Sequence, residues 1–568
     1  MERSVNSHSY KTLASLAALA ISSVLWYAAP VAAEPVGSAA SVRIAIQSKL
    51  SEDKFPRTRE GGDEQKALVE YYSGPEARLL WVDDNGLSSR AKAVMKEIER
   101  ADDYGLRSSD YELPKPGEFG PSTVGAPDWL ADAEIKISFA VLDYARDARG
   151  GRIEPMRLSS NLDVSLALPN PLELIEVIAL RSDPASYLRS FQPQHPQFEA
   201  LRKKLKELRG GKIVKAKDVI QIPQIPDGPL LKFGVEHEQV ALLRKRLDLP
   251  PGETENLFDA VVQQAVMAFQ HEHGAYPDGI VGPTTRRLLN PSELRNPDDS
   301  LPAKTILVNM ERWRWLPDDL GPFYVAVNVP EFILRVMAEG GSTFTTRGVV
   351  GDSDTQTPIF SHELEEIVFG PYWVVPSSIK TAEILPYITR IRRDSFFARS
   401  SSWDTSIFKN RNLRIRIGNR EVDPSKVDWS RIDRRNVDIY QPPGPNNALG
   451  RVKFVFPNKH NVYMHDTPQK LHFSNNLRAA SHGCIRVQHP EQFALSLLNY
   501  DQGWKAAEVA AAINNGYDQH VALKQEIPVH ITYFTLWVGD NGSLSYFGDP
   551  YGHDRSMAKA LGMPASGH

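Results

Sequence analysis

The apolar residues of this chain change their period at about Lys304, and that change restricts the folds open to it. Upstream, Ala91, Val94, Ile98 and Ala101 recur at helical spacing, as do Ile135, Phe139 and Leu142. Downstream, Ile306 with Val308, and residues 324–329, 332–336 and 453–456, have the pattern of strands. Helical text followed by strand text predicts a multidomain α+β protein. At about 150 residues per domain, 568 residues make three or four units.

Composition narrows the function. With 24% charged and 41% hydrophobic residues, the chain is neither disordered nor fibrous. Lys and Arg (66) nearly balance Asp and Glu (70), so the basic excess of a nucleic-acid-binding protein is missing. A single cysteine excludes an intramolecular disulfide. At the N-terminus, Arg3 and Lys11 precede an uncharged stretch over residues 12–33 that closes with Val31-Ala32-Ala33. Small residues there occupy the two positions a signal peptidase reads, so 1–33 is expected to be a cleaved signal peptide. The alternative is an uncleaved membrane anchor, since the stretch is just long enough to span a bilayer. Ser22, Ser23 and Pro30 weigh against the anchor. Either way the folded part is expected outside the cytoplasm.

Residues 45–229 read as a polar helical domain broken by turns such as Asp83-Asp84-Asn85-Gly86. Its basic run (Arg202, Lys203, Lys204, Lys206, Arg209) interleaves with Leu201, Leu205 and Leu208, and is read as a solvated face over a buried stripe. Pro223, Pro226 and Pro229 form a linker that cannot continue a helix. Residues 230–292 make a compact helical unit. One helix carries Val240, Leu243 and Leu247 and stops at Pro250-Pro251; a second carries Phe258, Val262, Ala265 and Phe269. Phe269-Gln270 followed by Asp278-Gly279, Gly282, Pro283, Thr284 and Thr285 resembles the small peptidoglycan-binding domain of wall enzymes. His271 and His273, flanking Glu272, are read as surface residues because no third metal ligand has a recognisable spacing. The strand-rich domain is assigned to 300–537, with an insertion over 377–451 that ends in Gln441-Pro442-Pro443-Gly444-Pro445 and is expected to be a lid. Residues 538–568 are assigned to a C-terminal tail.

The only cysteine sits in Ser481-His482-Gly483-Cys484-Ile485-Arg486. A thiol attacks as thiolate, which needs a nearby imidazole or cation. His482 is two residues away, and His465, in Tyr463-Met464-His465-Asp466-Thr467-Pro468, lies nineteen residues upstream, room for a strand, a turn and a return. Gly483 lets the backbone approach a substrate and could aim an N–H at an oxyanion. Arg486 offers a charged fork for a carboxylate. A zinc site from His465, His482 and Cys484 is the rival reading, weakened by the absence of a usual structural-zinc spacing and of any H-E-x-x-H run.

Ser-His-Gly-Cys with an Arg two residues on and a His about twenty residues earlier resembles the L,D-transpeptidase catalytic domain (YkuD type). Similar to the large Gram-negative members are residues 309–317, which read NMERWRWLP, then Gly351, Thr357-Pro358, Trp373-Val374-Val375-Pro376, Ile527-Pro528-Val529 and Tyr533. The resemblance implies a mostly β catalytic domain with mixed strands around a cleft, a helical scaffold domain, a small three-helix peptidoglycan-binding domain, and a periplasmic location. It implies Cys484 as nucleophile, His465 as general base and acid, His482 in support, and the Gly483 and Cys484 backbone N–H groups as oxyanion donors. Arg486, Ser481 and Tyr463 would bind substrate, with no metal and no cofactor. Asp466 stands where small family members have Gly, which leaves the orienting partner of His465 as Asp466 or a backbone carbonyl. The implied reaction is peptidoglycan 3→3 cross-linking through a cysteine thioester with release of D-alanine, with acylation by carbapenems but not by most penicillins. Partners would be stem peptides, glycan and other wall-synthesis enzymes. An L,D-carboxypeptidase, an enzyme anchoring proteins to the wall, a non-catalytic wall-binding scaffold and a zinc-dependent wall amidase are the alternatives.

Overall fold

The computed structural model describes residues 39–52, 63–115, 127–210, 225–289 apart from 248, 251, 253 and 273–276, and 301–563 apart from 396, 397 and 419. Residues 1–33, read as signal or anchor, lie outside them, as do His273 and the side chains of His271 and Glu272. No described helix is long and apolar enough to cross a membrane.

The N-terminal region is helical: α1 (Ala39–Leu50), α2 (Asp63–Ser73), α3 (Ser89–Ile98), α4 (Pro127–Gly150), α5 (Pro171–Leu180), α6 (Pro184–Arg189) and α7 (Pro196–Gly210). Side-chain oxygens start three of these helices: Ser88, Asn170 and Asp183 accept from the first turns of α3, α5 and α6, relieving orphan N–H groups. The central α4 packs Ile137, Val141 and Tyr144 against Leu68, Val94, Ile98, Leu174 and Ile178 in one core. The Asp83-Asp84-Asn85-Gly86 turn is a tight hairpin, with Val82 opposite Leu87. The basic run on α7 lies over buried Leu201 and Leu205, and Arg202 and Lys204 pair with Glu199 and Glu207 of the same helix.

The small unit comprises α8 (Glu238–Arg246), α9 (Ala260–Glu272) and α10 (Pro283–Leu289) around Val240, Leu243, Phe258, Val262, Phe269 and Val281. Buried Gln270 closes it. Its amide donates to Asp278 Oδ1 (2.8 Å), the Ile280 carbonyl (2.9 Å) and Thr285 Oγ1 (3.0 Å), and its oxygen accepts from Gly279 N–H (2.9 Å). Gly279 has φ +69°, so the turn that meets Gln270 favours glycine.

Ile306 and Val308, expected in a strand, instead belong to α11 (Leu301–Trp313). Buried Ala303, Ile306, Leu307 and Met310 repeat at helical spacing, and this longer pattern outweighs the two-residue alternation. This helix joins the halves of the molecule: Trp313 stacks on His195 of the helical region at 4.1 Å and on Phe534 at 4.2 Å.

The strand-rich domain contains β1 (Phe323–Asn328), β2 (Ile333–Ala338), β3 (Gly341–Gly351), β4 (Phe360–Phe369) and, just before the insertion, β5 (Trp373–Val374), then, within the insertion, β6 (Arg414–Ile417), β7 (Arg420–Val422) and β8 (Asp438–Gln441). After the insertion come β9 (Val452–Val455), β10 (Met464–His465), β11 (Ala479–Ser481), β12 (Ile485–Val487), α12 (Pro490–Gln502), α13 (Ala506–Asn515), β13 (Gln519–Thr532), β14 (Leu536–Val538), β15 (Leu544–Tyr546) and α14 (His553–Ala560). The main sheet runs β11-β3-β12-β10-β9-β4-β13-β1-β2, and β2 also pairs with β3, so the circuit closes on itself. The β10–β12, β11–β3 and β13–β1 pairs are parallel and the others antiparallel. Phe493, Leu497 and Leu498 of α12 enter its core.

The insertion, expected as a loop-like lid, is a folded subdomain. Its sheet runs β7-β6-β8-β5, and Trp429, Phe408, Ile415 and Ile439 give it a core of its own. Residues 538–563, expected as tail, are folded onto the strand-rich domain: Met557 and Leu561 enter the main core, and Arg312 of α11 pairs with Asp554 at 2.5 Å.

Candidate active site

Alternation along two short strands builds the site. Parallel pairing sets Met464 beside Ile485 and His465 beside Arg486. Met464, Ile485 and Val487 are fully buried in the core, so His465 and Arg486 face the other side, together with Cys484, two residues before Arg486. Antiparallel pairing adds Lys453 of β9 opposite His465 on that same face. Tyr463 completes it, its ring edge-on to the imidazole at 5.6 Å.

The turn that carries Cys484 is held by hydroxyls. Ser481 Oγ donates to the Cys484 carbonyl (2.6 Å), Thr357 Oγ1 to the Gly483 carbonyl (2.8 Å) and Thr355 Oγ1 to the Ser481 carbonyl (3.0 Å). Tyr551, from the segment expected as tail, donates to the Gly351 carbonyl (2.7 Å) and accepts from Thr357 N–H (3.1 Å), bracing that support. Gly483 has φ +100°, a conformation that strains any residue with a Cβ. Ser481, expected to touch substrate, is buried with its hydroxyl engaged inside the turn; it shapes the turn instead.

His465 is only 5% exposed, and its Nδ1 bonds to the Asp466 carbonyl. A carbonyl only accepts, so Nδ1 carries the proton and Nε2 keeps its lone pair. The partner left open by the sequence is thus the backbone carbonyl. The Asp466 carboxylate is engaged elsewhere, by Arg451 N–H (2.8 Å), Thr467 N–H (2.7 Å) and Lys470 Nζ (2.5 Å). Burial, with Arg486 next in size, pushes the imidazole down to about 3. Burial pushes the Cys484 thiol up, while Tyr463, Lys453 and Arg486 draw it back. The half-buried Sγ lies 3.9 Å from the Asn461 carbonyl. The Tyr463 hydroxyl interacts with both Cys484 and the Trp373 side chain, tying the root of the insertion to the thiol.

Arg486 donates to Gln469 Oε1 at 2.8 Å and is partly exposed. His482 is exposed, and its Nε2 lies 2.8 Å from Glu383 Oε1 of the insertion. The structure therefore gathers Cys484, His465, Tyr463 and Arg486, turns His482 toward the insertion and buries Ser481. Lys453, Trp373, Thr357 and Tyr551 join the site without any local motif to announce them, although Thr357 and Trp373 lie in stretches that carried the family resemblance. Among the described residues, no three His, Cys, Asp or Glu side chains are grouped to hold a metal ion.

Residues 322–502 match the family model of the L,D-transpeptidase catalytic domain, residues 66–205 that of a scaffold domain, and residues 236–289 that described as "Putative peptidoglycan binding domain". A Haemophilus influenzae protein described as "Putative L,D-transpeptidase" is 28% identical over 255 residues, covering 45% of this chain and 49% of its own length. The chain spans about half the length of that curated relative. Among solved structures, an L,D-transpeptidase from Mycobacterium smegmatis aligns over 37% of this chain and 58% of its own, at TM-score 0.18 and 11% identity. Residues 123–326 of one from Xylanimonas cellulosilytica align over 54% of this chain and 99% of their own, at TM-score 0.16 and 14% identity. In chain order, the protein carries a scaffold domain, a peptidoglycan-binding domain and an L,D-transpeptidase catalytic domain.

Proposed function

We propose that the protein is a peptidoglycan L,D-transpeptidase that forms 3→3 cross-links through an acyl-enzyme on Cys484. The thiol gives its proton to His465 Nε2, and sulfur attacks the carbonyl of the L-centre of the third, diamino-acid residue of a tetrapeptide stem. His465 returns the proton to the departing D-alanine amine, leaving a thioester. It then takes a proton from the amine of a neighbouring stem, which attacks the thioester and frees the thiol. The Gly483 and Cys484 backbone N–H groups stabilise the oxyanion, and Arg486 holds a stem carboxylate. The small domain keeps the enzyme on the wall, and the protein works in the periplasm after export.

The observation that carries this reading is the parallel register of His465 beside Arg486, which puts a neutral imidazole with a free Nε2 on the same face as the only thiol. The test is product analysis of disaccharide-tetrapeptide incubated with the mature protein. The expected outcome is release of D-alanine with a cross-linked dimer, both absent with Cys484→Ala. Release without dimer points to water as acceptor and a carboxypeptidase. Neither product, with retention on isolated wall, would leave a binding scaffold.

A further inference from the structure

The floor of the site holds a half-buried charge to which the reaction above gives no role. Lys453 shares a face with His465 across the β9–β10 pair, and its Nζ lies 4.3 Å from the centre of the Tyr463 ring. The acids in its field engage His520 instead: Glu366 Oε1 is 2.9 Å from His520 Nδ1, and Asp518 Oδ1 is 3.5 Å from His520 Nε2. An ammonium resting over an aromatic face rather than on a carboxylate keeps its field for an anion that forms nearby. The anion formed in the proposed reaction is the Cys484 thiolate.

We propose that Lys453 is a positioning residue for the nucleophile: its ammonium, seated on Tyr463, stabilises the Cys484 thiolate alongside Arg486. The inference rests on Cys484 being the nucleophile. Lys453 stays protonated and transfers nothing; the thiol proton still passes to His465 Nε2. The titratable groups facing Lys453 are Tyr463, His465, Cys484, Glu366 and Asp518, and those facing Cys484 are Tyr463, Lys453 and Arg486. Burial draws the Lys453 amine down, and Cys484, Glu366 and Asp518 oppose that. His465 feels Lys453 and Arg486 as charges that disfavour imidazolium.

Because Cys484 is the sole cysteine, carboxamidomethylation by iodoacetamide, followed by intact mass in the full chain, reports on it alone. The comparison is wild type, Lys453→Met, Lys453→Gln and Lys453→Arg across pH, with thermal melts as fold control. Removing one of the two cations should slow alkylation at pH 8 about fivefold to tenfold and move the profile to higher pH. Lys453→Arg should stay within about twofold, because it keeps the charge. The same profile as wild type in a folded Met or Gln variant would overturn the inference, and either variant suffices. A Lys453-dependent profile in a wild-type protein that leaves the tetrapeptide untouched would instead overturn the proposed reaction and keep the Lys453 assignment.

Discussion

Two buried polar clusters in this molecule are built to opposite rules. In the scaffold, Glu134 is fully buried, and its carboxylate accepts from the Trp81 (2.8 Å), Val82 (3.0 Å) and Leu80 N–H groups and from the Tyr72 hydroxyl (2.8 Å). Burial pushes this carboxyl up to about 7, against the pull of those donors. In the catalytic domain, His465 spends one ring nitrogen and keeps the other, the Cys484 thiol has the Tyr463 hydroxyl and a carbonyl 3.9 Å away, and Lys453 sits on a ring face. A saturated network fixes one arrangement of the chain; an unsaturated one keeps its field for groups that appear during a reaction. The scaffold cluster holds the Val82–Leu87 hairpin onto α4, while in the proposed reaction the second cluster is preorganised for chemistry.

The largest expected effect is that of Cys484→Ala, which should abolish D-alanine release while leaving the melting temperature within about two degrees of wild type; a coupled D-alanine assay and calorimetry check both halves. His465→Gln should cut the same rate about 100-fold to 10,000-fold, again with little change in melting, because it removes the base and not the sheet. Glu134→Ala reverses the pattern. Stranding three N–H groups and a hydroxyl should cost about 3 kcal/mol or more of scaffold stability in denaturant titration. The rate of the protein that remains folded should stay within about twofold. An equally stable Glu134→Ala protein with a lost rate would erase the contrast between the clusters.

The pH profile sharpens the contrast further. An imidazole drawn down to about 3 is protonated only as pH falls through that value, so His465 is neutral throughout the neutral range. The acylation rate should show no imidazole inflection near pH 6.5 and should rise on the alkaline side with a thiol whose deprotonation burial delays. Stopped-flow acylation from pH 5 to 9 measures this. The smallest expected effect is that of Glu383→Gln. The His482–Glu383 pair is 51% and 36% exposed, so its loss should change KM by no more than about fivefold.

Much of the site was legible in the sequence because its chemistry is local. The thiol, Gly483 and Arg486 share six residues, and the spacing to His465 is that of one strand and its return. What escaped is carried by strand register. Lys453 is one residue of an apolar strand until β9 lies beside β10, and Tyr551 looks like tail until α14 docks. Likewise, Ile306 and Val308 alternate over too short a window to reveal α11, whose helical repeat becomes plain only with Ala303 and Met310. The fold of the insertion escaped because its Arg and Ser content obscured a core built from the widely spaced Phe408, Ile415, Trp429 and Ile439. The orientation of His465 turns on a backbone carbonyl, which residue identity does not encode.

The most direct test of the central claim is the intact mass of the full chain within seconds of mixing with disaccharide-tetrapeptide. The expected result is an adduct equal to the donor minus D-alanine, located on Cys484 by peptide mapping and absent in Cys484→Ala. D-alanine release that persists in Cys484→Ala, with no adduct on the wild-type thiol, would contradict it.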